Sequence, residues 1–292
     1  MLLSRAADVN PVQCCAGSGA LWLMDASFEF ETLRRESSSW WHITRRKLLR
    51  AAVAQAVHDK REARVLDFGC SAQLDSCESP GIAAVNAHSS LAVLAFQQVK
   101  GGRNLICTGS EELGFTSNSF DAVVAGDILQ TVPDDRAALR ELRRVLKDGG
   151  LLCLTVPAYP VLWGEKDESQ GHQRRYTATE LRRKLNNSGF EVSRVSYLVA
   201  SGFLPAVIER IGRNIFNRSI KRSRHSTPQL EWANSAMVLL LDCERQLIRY
   251  INLPFGTRVV CWARKPAVVA ERVTVPAWER QWSRRPLPQG MS

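Results

Sequence analysis

Residues 120–157 read FDAVVAGDILQTVPDDRAALRELRRVLKDGGLLCLTVP, and this stretch predicts a strand, a helix and a second strand in succession. The first strand covers the apolar run Asp121–Ala125, and the second covers Leu151–Val156, which is apolar at almost every position. Continuous apolar strands are typical of a parallel sheet that is covered on both faces. A strand–helix–strand unit crosses over right-handedly and requires a neighbouring sheet, so the stretch predicts an α/β fold.

The helix within this stretch carries start and stop signals. Asp134 is the predicted N-cap, because its carboxylate can accept hydrogen bonds from the free N–H groups of the first turn. Lys147 is predicted in the last turn, where a cation suits the helix dipole, and Gly149 supplies a left-handed stop. One apolar face recurs at helical spacing and consists of Leu139, Leu142 and Leu146.

Length and cysteine usage limit the classes of protein. A chain of 292 residues forms one large α/β domain with appendages or two small domains. The apolar runs near Leu198–Leu204 and Ala236–Leu241 are too short to span a bilayer, and the first residues lack the apolar core of a secretion signal. The eight cysteines are scattered without zinc-type spacing, which indicates reduced thiols, no metal site and a cytoplasmic protein.

The chain is strongly basic, with a net charge of +10 and a pI of about 9.5. Such charge favours anionic partners, which include nucleic acid, phospholipid headgroups and acidic substrates. The sequence has no zinc-finger, RRM or KH signature, so a role in nucleic-acid binding is disfavoured. Peripheral contact with an anionic membrane stays open, a solvated basic surface is the simpler alternative, and the oligomeric state is not predicted.

Coarse patterns divide the chain into three parts. Residues 1–27 lack periodicity and predict a loose N-terminal arm, whereas residues 28–266 form the folded domain. Within that domain a basic segment joins two predicted helices, Phe203–Phe216 and Glu231–Tyr250, which form a helical insert at about 200–252. Residues 267–292 combine three prolines with charged side chains and predict an irregular basic tail.

A helix predicted over Phe28–His58 precedes a first strand, Arg64–Phe68, which leads into the loop GCSAQ at residues 69–73. Together with residues 120–150, this order of motifs resembles class I S-adenosylmethionine-dependent methyltransferases, in a bacterial methyltransferase-11-like branch. The resemblance implies a Rossmann-like, doubly wound and mostly parallel sheet with an antiparallel edge strand and a helical cap insert. It also implies S-adenosylmethionine as the methyl donor.

The resemblance places seven residues at positions that hold the cofactor in the family: Asp67, Gly69, Ser71, His88, Ser110, Glu111 and Asp127. Ser71 and Gln73 replace glycines of the nucleotide loop, where the backbone bends sharply and approaches the ligand. His88 replaces the acidic residue that holds both ribose hydroxyls, and Ser110 replaces the aspartate at the adenine. The cofactor motif is therefore degenerate.

Residues 157–177, PAYPVLWGEKDESQGHQRRYT, resemble a loop of this branch that carries a His-x-Arg-Arg-Tyr motif. The resemblance implies that the loop binds the methyl acceptor, through Tyr159, Trp163, Arg174, Arg175 and Tyr176. His172 is the candidate general base, and Asp167 is the residue that orients it. The two arginines suit a carboxylate or phosphate on the acceptor. The alternative is a polar network in which these charged residues only brace the loop.

Two functions follow from these motifs. The first is transfer of a methyl group from S-adenosylmethionine to a small-molecule or lipid-like acceptor. The second is a catalytically inactive pseudo-methyltransferase, which keeps the fold and acts as a binding or regulatory subunit. The altered nucleotide loop motivates the second function, whereas the complete His-x-Arg-Arg-Tyr loop motivates the first.

Overall fold

The computed structural model describes residues 33–34, 37–70, 72–74, 81–216 and 231–267. These ranges contain seven strands: β1 (Ala63–Phe68), β2 (Ile82–His88), β3 (Leu105–Cys107), β4 (Phe120–Gly126), β5 (Leu146–Pro157), β6 (Glu191–Leu198) and β7 (Arg258–Arg264). All seven belong to one sheet, in the order β3-β2-β1-β4-β5-β7-β6. Strands β1 to β5 are mutually parallel, and β7 is antiparallel to both of its neighbours.

This topology confirms the predicted fold class of a mostly parallel, Rossmann-like sheet. The antiparallel strand β7 lies one place in from the edge, between β5 and the edge strand β6. The strand order reverses direction between β1 and β4, which makes the carboxyl ends of these two strands a topological switch point. In open α/β sheets, ligands bind in the crevice outside such a switch point. We therefore expect a ligand to bind beside the loops that follow β1 and β4.

Helices cover the sheet. The helix predicted over Phe28–His58 is interrupted, because Ser39 has an extended backbone and caps a helix that begins at Trp40. The other predicted helices form close to their predicted positions. The helices are α1 (Trp40–Ala56), α2 (Leu91–Val99), α3 (Asp135–Val145), α4 (Glu165–Ser169), α5 (Ala178–Asn187), α6 (Phe203–Phe216) and α7 (Glu231–Leu247). A short 3₁₀ segment covers Pro160–Leu162. The helices α6 and α7 are the predicted cap insert. In the described ranges, no helix combines the length and the hydropathy that crossing a bilayer would require.

The unit β4–α3–β5 forms as predicted at its start and differs at its end. The Asp134 carboxylate accepts hydrogen bonds from the backbone N–H groups of Arg136 and Ala137, so Asp134 is the N-cap. The prediction that Lys147 lies in the last helical turn is wrong, because α3 ends at Val145 and β5 begins one residue later. Pairing of the β5 backbone with β4 ends the helix early, and the Lys147 ammonium instead lies 2.8 Å from the Asp121 carboxylate. Gly149 has a left-handed φ of +76°, but it lies within β5, so the prediction that it stops the helix is also wrong.

Two apolar clusters pack on opposite faces of the sheet. Side chains alternate between the faces along a strand, so Leu66 and Phe68 join one cluster while Val65 joins the other. The first cluster includes buried residues of α3 and α5, and the second includes buried residues of α1 and α7. Coverage on both faces explains why β4 and β5 are almost continuously apolar.

Several sequence predictions fall outside the described residues. The N-terminal arm at residues 1–27, the start of the helix predicted from Phe28, and the tail beyond Ala267 belong to this group. Ser71 and residues 75–80, which follow the nucleotide loop, also lie outside the described ranges.

Candidate functional site

The nucleotide loop after β1 is organised by the buried carboxylate of Asp67. Its Oδ2 atom accepts hydrogen bonds from the backbone N–H groups of Ala72 at 2.8 Å and Gln73 at 3.0 Å. Asp67 is fully buried at the end of β1, so its position is fixed by the sheet. The carboxylate thereby folds the chain back on itself directly beyond the carboxyl end of the strand.

Three residues of this loop take left-handed backbone conformations. Gly69 has a φ of +98°, and a Cβ atom at this position would lie 3.2 Å from the Cβ of Ile128. Cys70 and Gln73 have φ values of 51° and 50°, although neither is a glycine. A left-handed non-glycine residue is strained by about 1–3 kcal/mol and persists only when its surroundings hold it. The loop thus keeps Gly69 and takes a left-handed conformation at Gln73 as well, although Gln73 replaces a glycine of the family.

Arginines of α1 hold the loop in this path. The Arg46 guanidinium donates a hydrogen bond to Oε1 of Gln73. Arg50 donates to the backbone carbonyls of Ala72 at 2.9 Å and Gln73 at 2.6 Å. The sequence predicted a helix in this region but did not predict that its arginines contact the nucleotide loop.

His88 is the last residue of β2, as predicted for the ribose-binding position. Its Nδ1 atom accepts a hydrogen bond from the backbone N–H of Ser90 at 2.8 Å. Burial lowers the pKa of His88 to about 4, so the ring is neutral near pH 7. A neutral imidazole that accepts at Nδ1 carries its proton on Nε2. His88 therefore offers one N–H donor where the family has a carboxylate acceptor.

The two residues predicted at the adenine have different surroundings. Oε1 of Glu111 accepts a hydrogen bond from the backbone N–H of Asp134 at 2.7 Å, next to the start of α3. Glu111 is exposed and Ser110, its neighbour, is half-buried. The structure therefore gives Glu111 a contact inside the protein that the sequence did not predict.

Asp127, directly after β4, has a φ of 52° and a carboxylate that four side chains surround. Its Oδ2 atom lies 2.5 Å from Nε1 of Trp41, 3.0 Å from Nη1 of Arg45 and 3.3 Å from Nη1 of Arg258. Its Oδ1 atom accepts a hydrogen bond from the Thr155 hydroxyl at 3.0 Å. Burial opposes ionisation, but the two guanidinium groups hold the pKa of Asp127 well below its usual range. Asp127 thus ties α1, β5 and β7 together at the switch point.

A second buried carboxylate, Asp167, organises the acceptor loop. It lies 2.8 Å from Nδ1 of His172 and forms a bidentate pair with Arg175 at 2.9 and 2.8 Å. It also accepts a hydrogen bond from the backbone N–H of Gly164 at 2.9 Å. Burial raises the pKa of Asp167, but the bonds from His172 and Arg175 outweigh it and hold the pKa well below its usual range. The predicted contact between Asp167 and His172 is present.

The two arginines of this loop are already committed within the protein. Arg175 donates to Asp167 and to the carbonyl of Ala158 at 3.1 Å. Arg174 donates to the carbonyl of Pro133 at 2.6 Å, and its Nη1 lies 3.5 Å from the carboxylate of Asp135. For these two side chains, the geometry matches the loop-bracing alternative.

Tyr176 is fully buried and does not line an open site. Its hydroxyl donates to the Asp135 carboxylate at 2.9 Å and lies 3.3 Å from the carbonyl oxygen of Leu129. Asp135 is also paired with the Lys184 ammonium at 2.5 Å. Tyr176 is therefore part of the core, and its predicted contact with a substrate stays a prediction.

Aromatic side chains gather at the carboxyl end of β5. Tyr159, whose φ is 55°, stacks on Tyr197 with 5.0 Å between ring centroids. Phe203, the first residue of α6, packs 5.3 Å from Tyr159 and 5.5 Å from Phe255. Trp163 is half-buried, with its Nε1 atom 3.4 Å from the Glu168 carboxylate. Helix α6 thus packs, through Phe203, against a cluster of aromatic rings that includes Tyr159, a predicted substrate-binding residue.

Gln130 joins the two halves of the site and was not among the predicted site residues. Its Nε2 atom donates to the carbonyl of Asp127 at 2.8 Å and lies 3.5 Å from Nε2 of His172. Its backbone carbonyl accepts from the N–H of Gln173 at 2.6 Å. The only sequence signal was its place in the segment after β4, where it departs from the family's Leu-Glu-His pattern.

Unpartnered polar atoms are concentrated in the same region. Among the described residues, the buried side-chain atoms without a hydrogen-bond partner are Thr44 Oγ1, Arg45 Nε and Gln130 Oε1. Both Arg45 and Gln130 bind Asp127 through their other atoms. The described ranges hold no cluster of three or more His, Cys, Asp or Glu side chains suited to a metal ion. Two of the three unpartnered atoms thus belong to side chains that contact Asp127.

One protein family and several individual proteins are similar to part of this chain. Residues 66–154 match the family described as methyltransferase domain. The chain is 33% identical over 135 residues to a demethylmenaquinone methyltransferase of Staphylococcus haemolyticus, which covers 39% of this chain and 53% of that protein. It is 37% identical over 62 residues to the chloroplastic 2-methyl-6-phytyl-1,4-hydroquinone methyltransferase 1 of Oryza sativa, which covers 21% of this chain and 19% of that protein. The matched part is thus about half or less of these relatives.

A solved structure shows the same fold over a larger share of the chain. It is a chain of the complex between the Haloferax volcanii Trm112 methyltransferase activator and a putative methyltransferase. The TM-score is 0.52 at 16% sequence identity, and the alignment covers 86% of this chain and all of that chain. The likeness concerns the fold alone. Residues 66–154, which contain the nucleotide loop, β2, β3, β4 and α3, are therefore similar to a methyltransferase domain.

Proposed function

We propose that this protein transfers a methyl group from S-adenosylmethionine to a small or lipid-like acceptor. The observation that carries the proposal is the nucleotide loop, which keeps a tight left-handed path although Gln73 replaces a family glycine. Asp67, Arg46 and Arg50 together hold that path. A chain that had lost cofactor binding would have no reason to keep strained residues in this loop, because strain persists where function requires it.

The residues present fit the cofactor. The absence of a Cβ at Gly69 leaves the close backbone approach that the loop needs, and Nε2–H of His88 can donate to a ribose hydroxyl oxygen. Arg45, whose Nε atom is buried without a partner, is a donor for the carboxylate of the cofactor's amino-acid end. When bound, S-adenosylmethionine supplies an electrophilic methyl group. These assignments explain how a degenerate motif can hold the cofactor.

His172 is the proposed base for the acceptor's proton. Its Nδ1–H donates to Asp167, so Nε2 is an acceptor, and it lies 3.5 Å from Nε2 of Gln130. Asp167 fixes the tautomer and the ring orientation, and Arg175 holds Asp167 in turn. Proximity and orientation provide most of the rate enhancement in such a transfer, and proton removal adds to it.

A direct test is calorimetric titration of the purified full chain with S-adenosylhomocysteine. We expect micromolar binding by the wild type. We also expect His88→Asp to bind about tenfold more tightly, because a carboxylate accepts hydrogen bonds from both ribose hydroxyls. His58→Asp, at an exposed histidine, is the matched control and leaves the affinity unchanged. A folded wild-type sample without binding at millimolar ligand would contradict the proposal and favour the pseudo-methyltransferase alternative.

The lipid-like character of the acceptor is supported by the surface of the cap. Leu204, Ile208 and Ile211 follow one another at helical spacing on α6, and their side chains are 64%, 68% and 51% exposed. Phe203 on the same helix already packs on Tyr159, so α6 presents apolar side chains both inward and outward. An exposed apolar stripe on a chain of net charge +10 suits an anionic bilayer surface. The methylated quinols named for two relatives are compatible with such a location.

We expect the wild type to sediment with vesicles of phosphatidylglycerol and phosphatidylcholine. Changing Leu204, Ile208 and Ile211 together to serine is expected to weaken this binding at least about tenfold, because three apolar side chains lose their burial. Leu91→Ser with Val99→Ser, at exposed apolar positions of α2, is the matched control. Wild-type vesicle binding by the triple variant would remove the stripe from the interaction. Loss of a dimer in light scattering instead would assign the stripe to a second copy of the chain.

A further inference from the structure

We infer that the protein forms a symmetric dimer, in which one exposed side of α7 packs against the same side of α7 in a second copy of the chain. The residues that form the contact are Ala236, Leu240, Cys243 and Leu247, and together they are called the α7 seam. This interaction surface is independent of the proposed function.

The seam residues are apolar and exposed, and they lie on one side of α7. Leu240 and Leu247 are 45% and 44% exposed, and Ala236 and Cys243 are exposed as well. Successive members of the seam are four, three and four residues apart. This is the heptad spacing with which two helices pack side by side. The expected partner of the seam is therefore another helix.

The neighbouring side of α7 is already bound to its own domain. Leu241 and Ile248 are buried in the apolar cluster that also contains residues of α1. Glu244 accepts hydrogen bonds from the backbone N–H groups of Ala200 at 3.1 Å and Ser201 at 3.0 Å. These contacts fix the rotation of α7 about its axis. The seam is thus presented on a rigid element, which lowers the entropic cost of binding a partner.

The spacing of the seam reads the same from both ends of the helix. Two antiparallel copies therefore match residue by residue, with Ala236 against Leu247 of the second copy and Leu240 against Cys243 of the second copy. Each layer then combines one leucine with one smaller side chain, as even packing requires. A parallel pair would instead place leucine on leucine and alanine on alanine. The antiparallel match is related by a two-fold axis, which is the commonest symmetry of protein oligomers.

The border of the seam allows two basic chains to meet. Each copy has a net charge of +10, so a contact between copies has to exclude unpaired cations. Leu239 and Gln246 border the seam at the g positions of the heptad, and neither is charged. Leu239 is 68% exposed and extends the apolar surface. Asp242 and Arg245 lie nearby on α7, 3.3 Å apart, and pair with each other.

The first experiment is sedimentation velocity of the full chain over a range of micromolar concentrations. We expect the wild type to be a dimer that dissociates on dilution. Leu240→Ser with Leu247→Ser is expected to weaken the dimer at least about a hundredfold, because four leucine side chains per dimer lose their burial. Leu91→Ser with Val99→Ser, at exposed apolar positions of α2, is the matched control and keeps the dimer.

Cys243 provides a second measurement, which reports the orientation of the helices. In the antiparallel pair the two-fold axis passes between Leu240 and Cys243, so the two Cys243 thiols lie near each other. A short bis-maleimide is expected to join them, and mass spectrometry detects the linked peptides. Cys243→Ser removes this link, whereas Cys107→Ser, at a half-buried thiol of β3, retains it. Cys243→Lys places an ammonium group in the apolar seam and is expected to dissociate the dimer.

A wild type that stays monomeric at the highest concentration would overturn the inference. The same holds for an unchanged dimer in the folded Leu240→Ser, Leu247→Ser variant, and for a dimer in which Cys243 does not become linked to its counterpart. If the double variant fails to fold, Cys243→Lys supplies the comparison. A monomeric wild type whose vesicle binding is lost in the double variant would assign the seam to a bilayer instead of a second copy.

Discussion

Asp127→Ala is expected to lower the free energy of unfolding by about 3–5 kcal/mol, because removal of one member of a buried ion pair leaves the other uncompensated. Here two guanidinium groups, those of Arg45 and Arg258, would lose their common counter-charge. The indole N–H of Trp41 and the hydroxyl of Thr155 would lose their acceptor as well. Urea denaturation monitored by circular dichroism measures the change.

The control is Asp148→Ala, which removes a more exposed carboxylate 3.4 Å from the Lys265 ammonium. Asp148 is exposed, and the Lys265 ammonium keeps two other acceptors, Oδ1 of Asn118 and the carbonyl of Leu146, so this loss is expected to be at most about 1 kcal/mol. If Asp127→Ala and Asp148→Ala lowered the free energy of unfolding by similar amounts, Asp127 would not be the residue that fixes α1 to the sheet. Asp127→Asn keeps the shape and removes only the charge.

The difference in the free energy of unfolding between the wild type and Asp127→Asn is expected to depend on pH. Although burial opposes ionisation, Arg258 and Arg45 hold the pKa of Asp127 below its usual value. The ionised carboxylate therefore contributes stability above the unfolded-state pKa of about 3.9, and this contribution is lost as the pH falls. The stability difference between wild type and Asp127→Asn should be largest above pH values of about 5 and should shrink in acid.

The fold was predictable because its main signals are local. The apolar runs of β4 and β5 and the N-cap Asp134 lie within 40 residues of one another, and each corresponds to one physical preference of the backbone. Lys147 shows the limit of such reasoning. Its position suited the end of a helix, but pairing of β5 with β4 was the stronger interaction.

The site was predictable only where its partners are close in sequence. Asp167 and His172 are five residues apart, and their hydrogen bond followed from the loop motif. Trp41, Arg45 and Arg258, three of the partners of Asp127, are 82 or more residues away from it, so no local pattern connected them. The altered glycine at Gln73 looked like a loss of function for the same reason, because the supporting Arg46 and Arg50 belong to a separate helix.

His172→Asn is expected to lower kcat about 10²–10⁴-fold, which is the usual contribution of a positioned general base. The asparagine amide can still donate a hydrogen bond to Asp167, but it cannot accept a proton at the position of Nε2. Folding and the affinity for S-adenosylhomocysteine should therefore stay unchanged. The measurement is transfer of a labelled methyl group from S-adenosylmethionine to an acceptor that the wild type methylates.

His58→Asn serves as the matched control, because His58 is exposed and pairs only with the neighbouring Asp59. Full turnover by His172→Asn would remove the imidazole from the mechanism and leave Asp167, His172 and Arg175 as a network that braces the loop. Loss of turnover together with loss of S-adenosylhomocysteine binding would also point to bracing, since a base is not needed for cofactor affinity. Only a selective loss of kcat identifies Nε2 of His172 as the atom that receives the acceptor's proton.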